Sequence, residues 1–292
     1  MKLPATTETA HPQGDENANP AAEPLLCQVN ERVSCGACCG LYNVQAVSRK
    51  ALAQMLRTRT AQFRTTPRTV EAIFQFKQDV ENRELQRRPM PQFHHCPFLG
   101  LIGTRRKTVG CLLHPAAHGN NGLDFRSISH YGGMTCHIYF CPSTHLLPRR
   151  YKQIIRRVLD DWYLYGLVVT EIRLLKSLFE ELEARLNRPL YFEDFASQNA
   201  CQEALKQLLL LRVSWPFRSP HNRCLAHYFF NDHLYERPII APLAPGQTIS
   251  RYQLILQELE TDLQSEHTLR QAELYLDDRF KMVQHVLETA LP

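Results

Sequence analysis

Seven cysteines between positions 35 and 141 set the strongest constraint on this chain. They begin with Cys35-Gly36-Ala37-Cys38-Cys39-Gly40 and continue with Cys96, Cys111, Cys136 and Cys141. So many thiols need a partner: disulfides, metal ions or an iron–sulfur cluster. C-x2-C is a tight chelating unit whose short turn aims two sulfurs at one centre and turns backbone N–H groups towards the thiolates. Gly36 and Gly40 permit the positive φ angles such a turn often needs. Cys38 and Cys39 are adjacent, which makes both awkward ligands for a single ion. One of them is expected to bridge or to serve a second metal.

The surroundings argue for a metal. The stretch from Arg88 to Ser143 is rich in Gly, Pro and His and carries only short strand-like pieces, at Thr108–Leu113 and His137–Phe140. Burial alone would struggle to hold so irregular a segment, and a metal cross-link would supply what the core lacks. Residues 1–24 read as a disordered tail with no signal-peptide pattern. That places the chain in the cytoplasm, where reduced thiols favour metal over disulfides. No apolar run approaches the roughly 20 residues of a membrane span. Trp162–Val169 reads instead as a buried helix segment.

The expected fold is mainly α with an irregular, metal-stapled cysteine-rich module and long helices in the C-terminal half. The module covers residues 25–148 and a helical region packed on it covers 149–292. Two helices are inserted in the module at about 47–86. The first runs from Val47 to about Phe63, with Ala51, Leu52, Met55 and Leu56 as apolar pairs. The second starts at Thr66-Pro67, since Pro is favoured in a first turn. Apolar spacings of three and four predict helix from Arg149 to about Asn187, from Phe192 to Leu211 and, as one helix or two, from Ser250 to about Leu291.

Cys-Gly-Ala-Cys-Cys-Gly at 35–40, Cys96-Pro97-Phe98-Leu99, Gly110-Cys111-Leu112-Leu113-His114-Pro115 and Cys136-His137-Ile138-Tyr139-Phe140-Cys141-Pro142 resemble the YkgJ-type cysteine-cluster family. The resemblance covers about Cys27 to Ser143. It implies a zinc- or iron-chelating or iron–sulfur protein that uses Cys35, Cys38, Cys39, Cys96, Cys111, Cys136 and Cys141. Family members commonly have one more cysteine before the CxxCC unit, where this chain has Arg32. Cys27, or the histidine His114 three residues after Cys111, is the candidate for the eighth ligand. Thiolate sites suit both zinc and iron–sulfur clusters. Vicinal thiols lean towards the polynuclear centre.

Other features carry weaker signals. His94, His95, His118, His130 and His137 also surround the array. His221-x2-Cys224-x2-His227, with His233 beyond, has a spacing that chelates when helical. Cys201 reads as an inert core thiol. Arg149, Arg150, Lys152, Arg156 and Arg157 oppose the dipole of the helix they open, which points to an acidic partner, RNA or a protein, against the plainer reading of a solvated face. A similar cysteine module occurs in flagellin lysine N-methylases, so an enzyme modifying proteins, or a redox enzyme using the cluster, is the rival reading. Asp160 and Asp161 would face different ways on a helix and make a poor catalytic pair. The net charge of +5 is too mild to indicate nucleic acid by itself.

Overall fold

The computed structural model describes residues 23–84, 88–103, 107–219, 226 and 250–290. The expected tail thus lies outside the described residues apart from Glu23 and Pro24, and so does the His221, Cys224, His227 and His233 set. The described chain is mainly helical. Helices α1 (Arg49–Thr65) and α2 (Val70–Glu84) precede a two-stranded hairpin of β1 (Leu99–Ile102) and β2 (Thr108–Cys111). Short helices α3 (Gly132–Ile138) and α4 (Ser143–Leu146) lead into α5 (Arg149–Val158), α6 (Trp162–Val169) and α7 (Ile172–Leu186). After them come α8 (Glu193–Ala196), α9 (Asn199–Leu209), α10 (Leu211–Ser214), α11 (Gln253–Glu258) and α12 (Glu266–Thr289).

Local chemistry explains most boundaries. Ser48 caps α1 through Ala51 N–H, and Ser265 caps α12 through Thr268 N–H. The second inserted helix begins at Val70 rather than at Pro67. Thr69 accepts from Ala72 N–H at 3.3 Å. Arg68 occupies the preceding turn, bonded to Phe63 O and Asn120 Oδ1, both at 2.7 Å. The helical signal from Arg149 to Asn187 is divided into three. Asp161 accepts from Tyr163 N and Leu164 N and restarts the chain as α6. Asp160 pairs instead with Lys206 at 2.7 Å, so the two acids have separate structural jobs.

The strand-like reading of His137–Phe140 is overturned. His137 and Ile138 close α3, and Tyr139 is its extended C-cap. β-propensity reflects packing on a half-buried sheet face, and among the described residues no strand pairs with this segment. Gly132, at φ 75°, turns the chain into the helix. The Thr108–Leu113 signal does form a strand, β2, over Thr108–Cys111, antiparallel to β1 with Leu99 opposite Cys111.

The apolar residues form two clusters. One gathers α1, α2 and the hairpin. The other gathers α5 to α12, together with Leu26, Val29 and Val33 from the start of the cysteine region. Helix α6 belongs to both and is buried on every side, as its sequence predicts. Trp162, Tyr163 and Leu167 face the first cluster, and Leu164, Tyr165, Val168 and Val169 face the second. A buried ion pair joins the elements after α6: Arg212 Nε lies 3.3 Å from Glu171 Oε1, and both side chains are fully enclosed.

Tyr42 docks on α6, its hydroxyl donating to Trp162 O and Tyr163 O at 3.2 and 3.0 Å. Gly166 makes room for it, since a Cβ there would fall 2.2 Å from Tyr42 Oη. Gly166→Ala is therefore expected to destabilise the protein by about 1–3 kcal/mol through overpacking, read as a lower urea midpoint. A pH dependence also follows. Asp277 on α12 is held well below the usual carboxylate range by Lys281, then Arg185, with Tyr252 adding to them against a small burial effect. A depressed carboxylate contributes stability above its unfolded pKa of about 3.9 and loses it as pH falls below that value. Asp277→Asn should flatten the acid limb of the stability curve below about pH 4, measured by denaturant titration.

Candidate metal centre

Residues 27–35 form a small hairpin. Cys35 N–H donates to Cys27 O at 2.8 Å, Gln28 bridges Ser34, and Asn30 Oδ1 caps the turn through Arg32 N and Val33 N. Arg32 thus sits at the exposed tip, while Cys27 returns beside Cys35. Tyr165 of α6 pins this hairpin by donating to Leu26 O at 2.8 Å.

The chain then makes tight turns through 36–41, with Gly40 N–H donating to Ala37 O at 2.7 Å and Leu41 N–H to Gly36 O at 3.1 Å. Gly40 is required twice: φ is 80°, and a Cβ would lie 2.1 Å from His94 O. Gly36 is not among the positive-φ residues. Its lack of a side chain serves packing instead, because a Cβ there would meet Val109 and Leu41 at 3.0–3.1 Å.

Backbone pairing carries the next cysteines inward. Cys96 N–H donates to Cys39 O at 2.8 Å. Cys96 lies just before β1, and β1 sets Leu99 opposite Cys111. Arg59, fully buried on α1, latches this entry: it donates to Cys96 O at 3.1 Å and Glu84 Oε2 at 2.8 Å and contacts His95 Nε2 at 2.9 Å. Cys136 on α3 contacts Ser129 Oγ at 3.1 Å. Cys141 starts the turn into α4, where Thr144 N–H donates to Cys141 O at 2.9 Å.

All nine described cysteines are free thiols. Their mutual charge effects sort eight of them into two sets. Burial, then Cys38 and Cys141, pushes Cys27 up to about 12. Cys35 is raised by burial, then by Cys38, Cys141 and Cys27, and Cys141 by burial and then Cys38. In the other set, burial followed by Cys111 holds Cys96 at about 12, with Cys136 adding to it. Cys111 is pushed up to about 11 by burial, with Cys136 contributing and the Leu113 N–H opposing. Cys39 acts as the hinge between the sets. Its thiol hydrogen-bonds to Cys38, which lowers Cys38 and raises Cys39, and Cys96 and Cys111 raise Cys39 further.

Backbone N–H groups point at sulfur in both sets. Ala37 N–H reaches Cys35 Sγ at 3.4 Å. Cys96 receives one from Phe98, Cys111 from Leu113 and His114, and Cys141 from Ser143 and Thr144. The recurring step from a cysteine to the N–H two residues on is the arrangement that stabilises a metal-bound thiolate. This donor chemistry fits a thiophilic metal. Among the described residues, no three His, Cys, Asp or Glu side chains converge as a ready-made metal-holding group. The thiols are neighbours rather than a finished coordination sphere.

The histidines are engaged elsewhere. His114 Nδ1 accepts from Ala116 N–H at 3.1 Å. His94 stacks on His130 with ring centroids 4.0 Å apart, and burial, then His130, depresses His94 to about 3. His137 Nδ1 lies 2.8 Å from Arg126 Nη2. Arg126 is also bound two-pronged to Asp124, and its positive charge opposes the rise at Cys111. Cys201 is a fully buried core residue.

The basic cluster is largely occupied. Arg150 pairs with Glu183 at 3.0 Å. Lys152 is buried against Glu23 and Thr144 O. Arg157 donates to Phe195 O and Ala196 O. Arg156 and Arg157 fall in the last turn of α5, where positive charge suits the dipole, so only Arg149, Arg150 and Lys152 oppose it, and Arg150 and Lys152 are paired with acids of this chain.

Arg59 and Arg126 are the supporting residues that cysteine spacing does not reveal. Arg59 had a signal, because it falls in the apolar stripe Leu52, Leu56, Phe63 of α1 and is enclosed with it. A charge in such a stripe needs a buried partner. Compared with protein-family models, curated proteins and solved structures, the chain matches none. No described helix is long and apolar enough to cross a membrane.

Removing Arg59 would leave the Cys96 carbonyl without its buried donor and Glu84 with Arg83 alone. Arg59→Ala is expected to cost about 1–3 kcal/mol through the buried Cys96 carbonyl it leaves unpaired, measured by denaturant unfolding.

Proposed function

We propose that this is a metal-binding cysteine-cluster protein, holding iron–sulfur or zinc/iron through Cys35, Cys38, Cys39, Cys96, Cys111, Cys136 and Cys141, with Cys27 as the eighth thiol. One observation carries the reading: free cysteines spread over more than a hundred residues are gathered in one region, with backbone N–H groups turned to their sulfurs. A metal ion would add cross-links to the irregular segment between α2 and α5. It would also supply the positive charge that lets several thiolates share a buried space. His114 fits the eighth position less well, since its Nδ1 serves its own loop.

The likeness to the YkgJ-type family rests on the cysteine motifs and agrees with this reading. The role that follows is metal handling, redox sensing or structural support for an interaction, in a reducing compartment such as the cytoplasm. An enzyme of the lysine N-methylase kind and a nucleic-acid binder are the weaker readings. The cavity beside α1 and α2 and the one between α1 and the hairpin touch no cysteine, and the basic side chains are largely bound internally.

Protein expressed and purified without oxygen should contain zinc or iron by elemental analysis. Iron–sulfur would give a brown colour with broad absorption near 400 nm, and zinc a colourless protein. Protein that is colourless and free of both metals would sink the proposal. Cys38→Ser should lower the bound metal by about half or more.

A further inference from the structure

Residues 32–70 hold seven Arg or Lys and no Asp or Glu. The net charge of +5 for the whole chain conceals this local excess. We propose that the exposed face of α1 is a docking surface for duplex DNA, which it grips by the phosphate backbone through Lys50, Arg57 and Arg64. The inference goes beyond the metal-binding reading and does not depend on it.

Helical geometry sets these three cations in one row. They follow each other at intervals of seven residues, which is two turns less about 20°. With a rise of about 1.5 Å per residue, the row places a positive charge every 10 Å or so over about 21 Å. All three residues are exposed, on the side of α1 opposite the buried Leu52, Leu56 and Phe63. Arg64 also lines the small cavity against the hairpin with Gly103 and His118. Lys107, exposed at that open end of the hairpin, extends the basic surface.

Other cations of this stretch are spent inside the fold. Arg59 is buried on Glu84, Arg68 is bonded to Asn120 and Phe63 O, and Arg49 lies 3.5 Å from Asp161. Among the described residues, Lys50, Arg57 and Arg64 have no carboxylate within ion-pair distance. This separates α1 from the basic residues that open α5, where Arg150 and Lys152 are paired with acids of the chain. Lys50 moreover stands in a first turn that holds no acid, so its charge opposes the helix dipole. A phosphate at that end would be attracted by the ammonium and by the helix N-terminus together.

The face selects the partner. Beside the cations it presents Gln54 and Ala61, with no large apolar side chain to enter a membrane and no aromatic ring on which a single strand could stack its bases. The complement of such a row is a regular array of negative charge. Duplex DNA carries about one charge per 1.7 Å of axis, so a row of about 21 Å faces about a dozen phosphates. The wide major groove of B-form DNA lets a helix face reach phosphates on both walls, whereas the A-form groove of duplex RNA is too narrow. Gln54 and the two guanidinium groups suit hydrogen bonding to phosphate oxygens.

The full chain, titrated into a fluorescein-labelled DNA duplex of about 20 base pairs, reads the contact by anisotropy. Three phosphate contacts give a slope of log affinity against log salt of about −2.7, so binding should weaken about fortyfold from about 50 to about 200 mM NaCl. Lys50→Gln, Arg57→Gln and Arg64→Gln together should weaken binding at about 50 mM by about tenfold or more and flatten that slope. The circular dichroism spectrum and the bound metal should not change. Removing as much charge from α5, α7 and α12, by Arg156→Gln, Lys176→Gln and Arg270→Gln together, should change the affinity less than about twofold. Three results would each overturn the proposal and leave metal binding standing: no DNA bound at about 50 mM NaCl, equal loss in the two triple variants, or tighter binding to duplex RNA, single-stranded DNA or phosphatidylserine vesicles than to duplex DNA.

Discussion

Helix α6 is the element on which the rest depends, because both apolar clusters close on it. Its eight residues are all buried, and its two sides hold the two arms of the cysteine region. Tyr42, two residues after Gly40, docks on α6 through Trp162 O and Tyr163 O. Tyr165, leaving α6 on the other side, holds Leu26 O beside Cys27. Burial of this one apolar helix therefore fixes the start and the end of the stretch that carries Cys27, Cys35, Cys38 and Cys39. Fully burying side chains of this size contributes roughly 1.5–3 kcal/mol each, enough to hold loops that have little core of their own.

The hairpin and α1 perform the same task for the other thiols by a polar route. Arg59 is enclosed among apolar side chains and gives its hydrogen bonds to Glu84 and the Cys96 carbonyl. Such an arrangement adds little net stability against an apolar replacement, yet it is costly to break from one side. It acts as a positional latch for Cys96. Arg126 is similar at the edge of the site, held by Asp124 and facing His137. The cysteine region is thus set between an apolar anchor and a charged one.

Much of the helical architecture was legible in residue spacing. Leu52, Leu56 and Phe63 marked α1, and the apolar run at Trp162–Val169 marked a buried helix, because periodicity and burial follow directly from side-chain chemistry. Breaks were harder to place. Asp161 looks like any acid until its Oδ1 is seen capping Tyr163 N and Leu164 N. The segment from His137 to Phe140 has strand-forming residues but no partner strand, so it could not be a sheet. Gly36 and Gly40 look alike in sequence, yet only Gly40 has a positive φ and passes His94 O too closely for a side chain.

The sequence by itself determined that this chain is thiol-rich, mainly helical and irregular between its second helix and Arg149. Those properties are carried by composition and short-range spacing. Only the tertiary structure decided which thiols are neighbours. Cys27 stands near Cys35 because a hairpin turn at Asn30 reverses the chain, and Cys96 stands near Cys39 because one backbone hydrogen bond joins segments 57 residues apart. Such pairings depend on how distant elements bury their apolar faces against each other, and the order of residues along the chain does not contain that information locally.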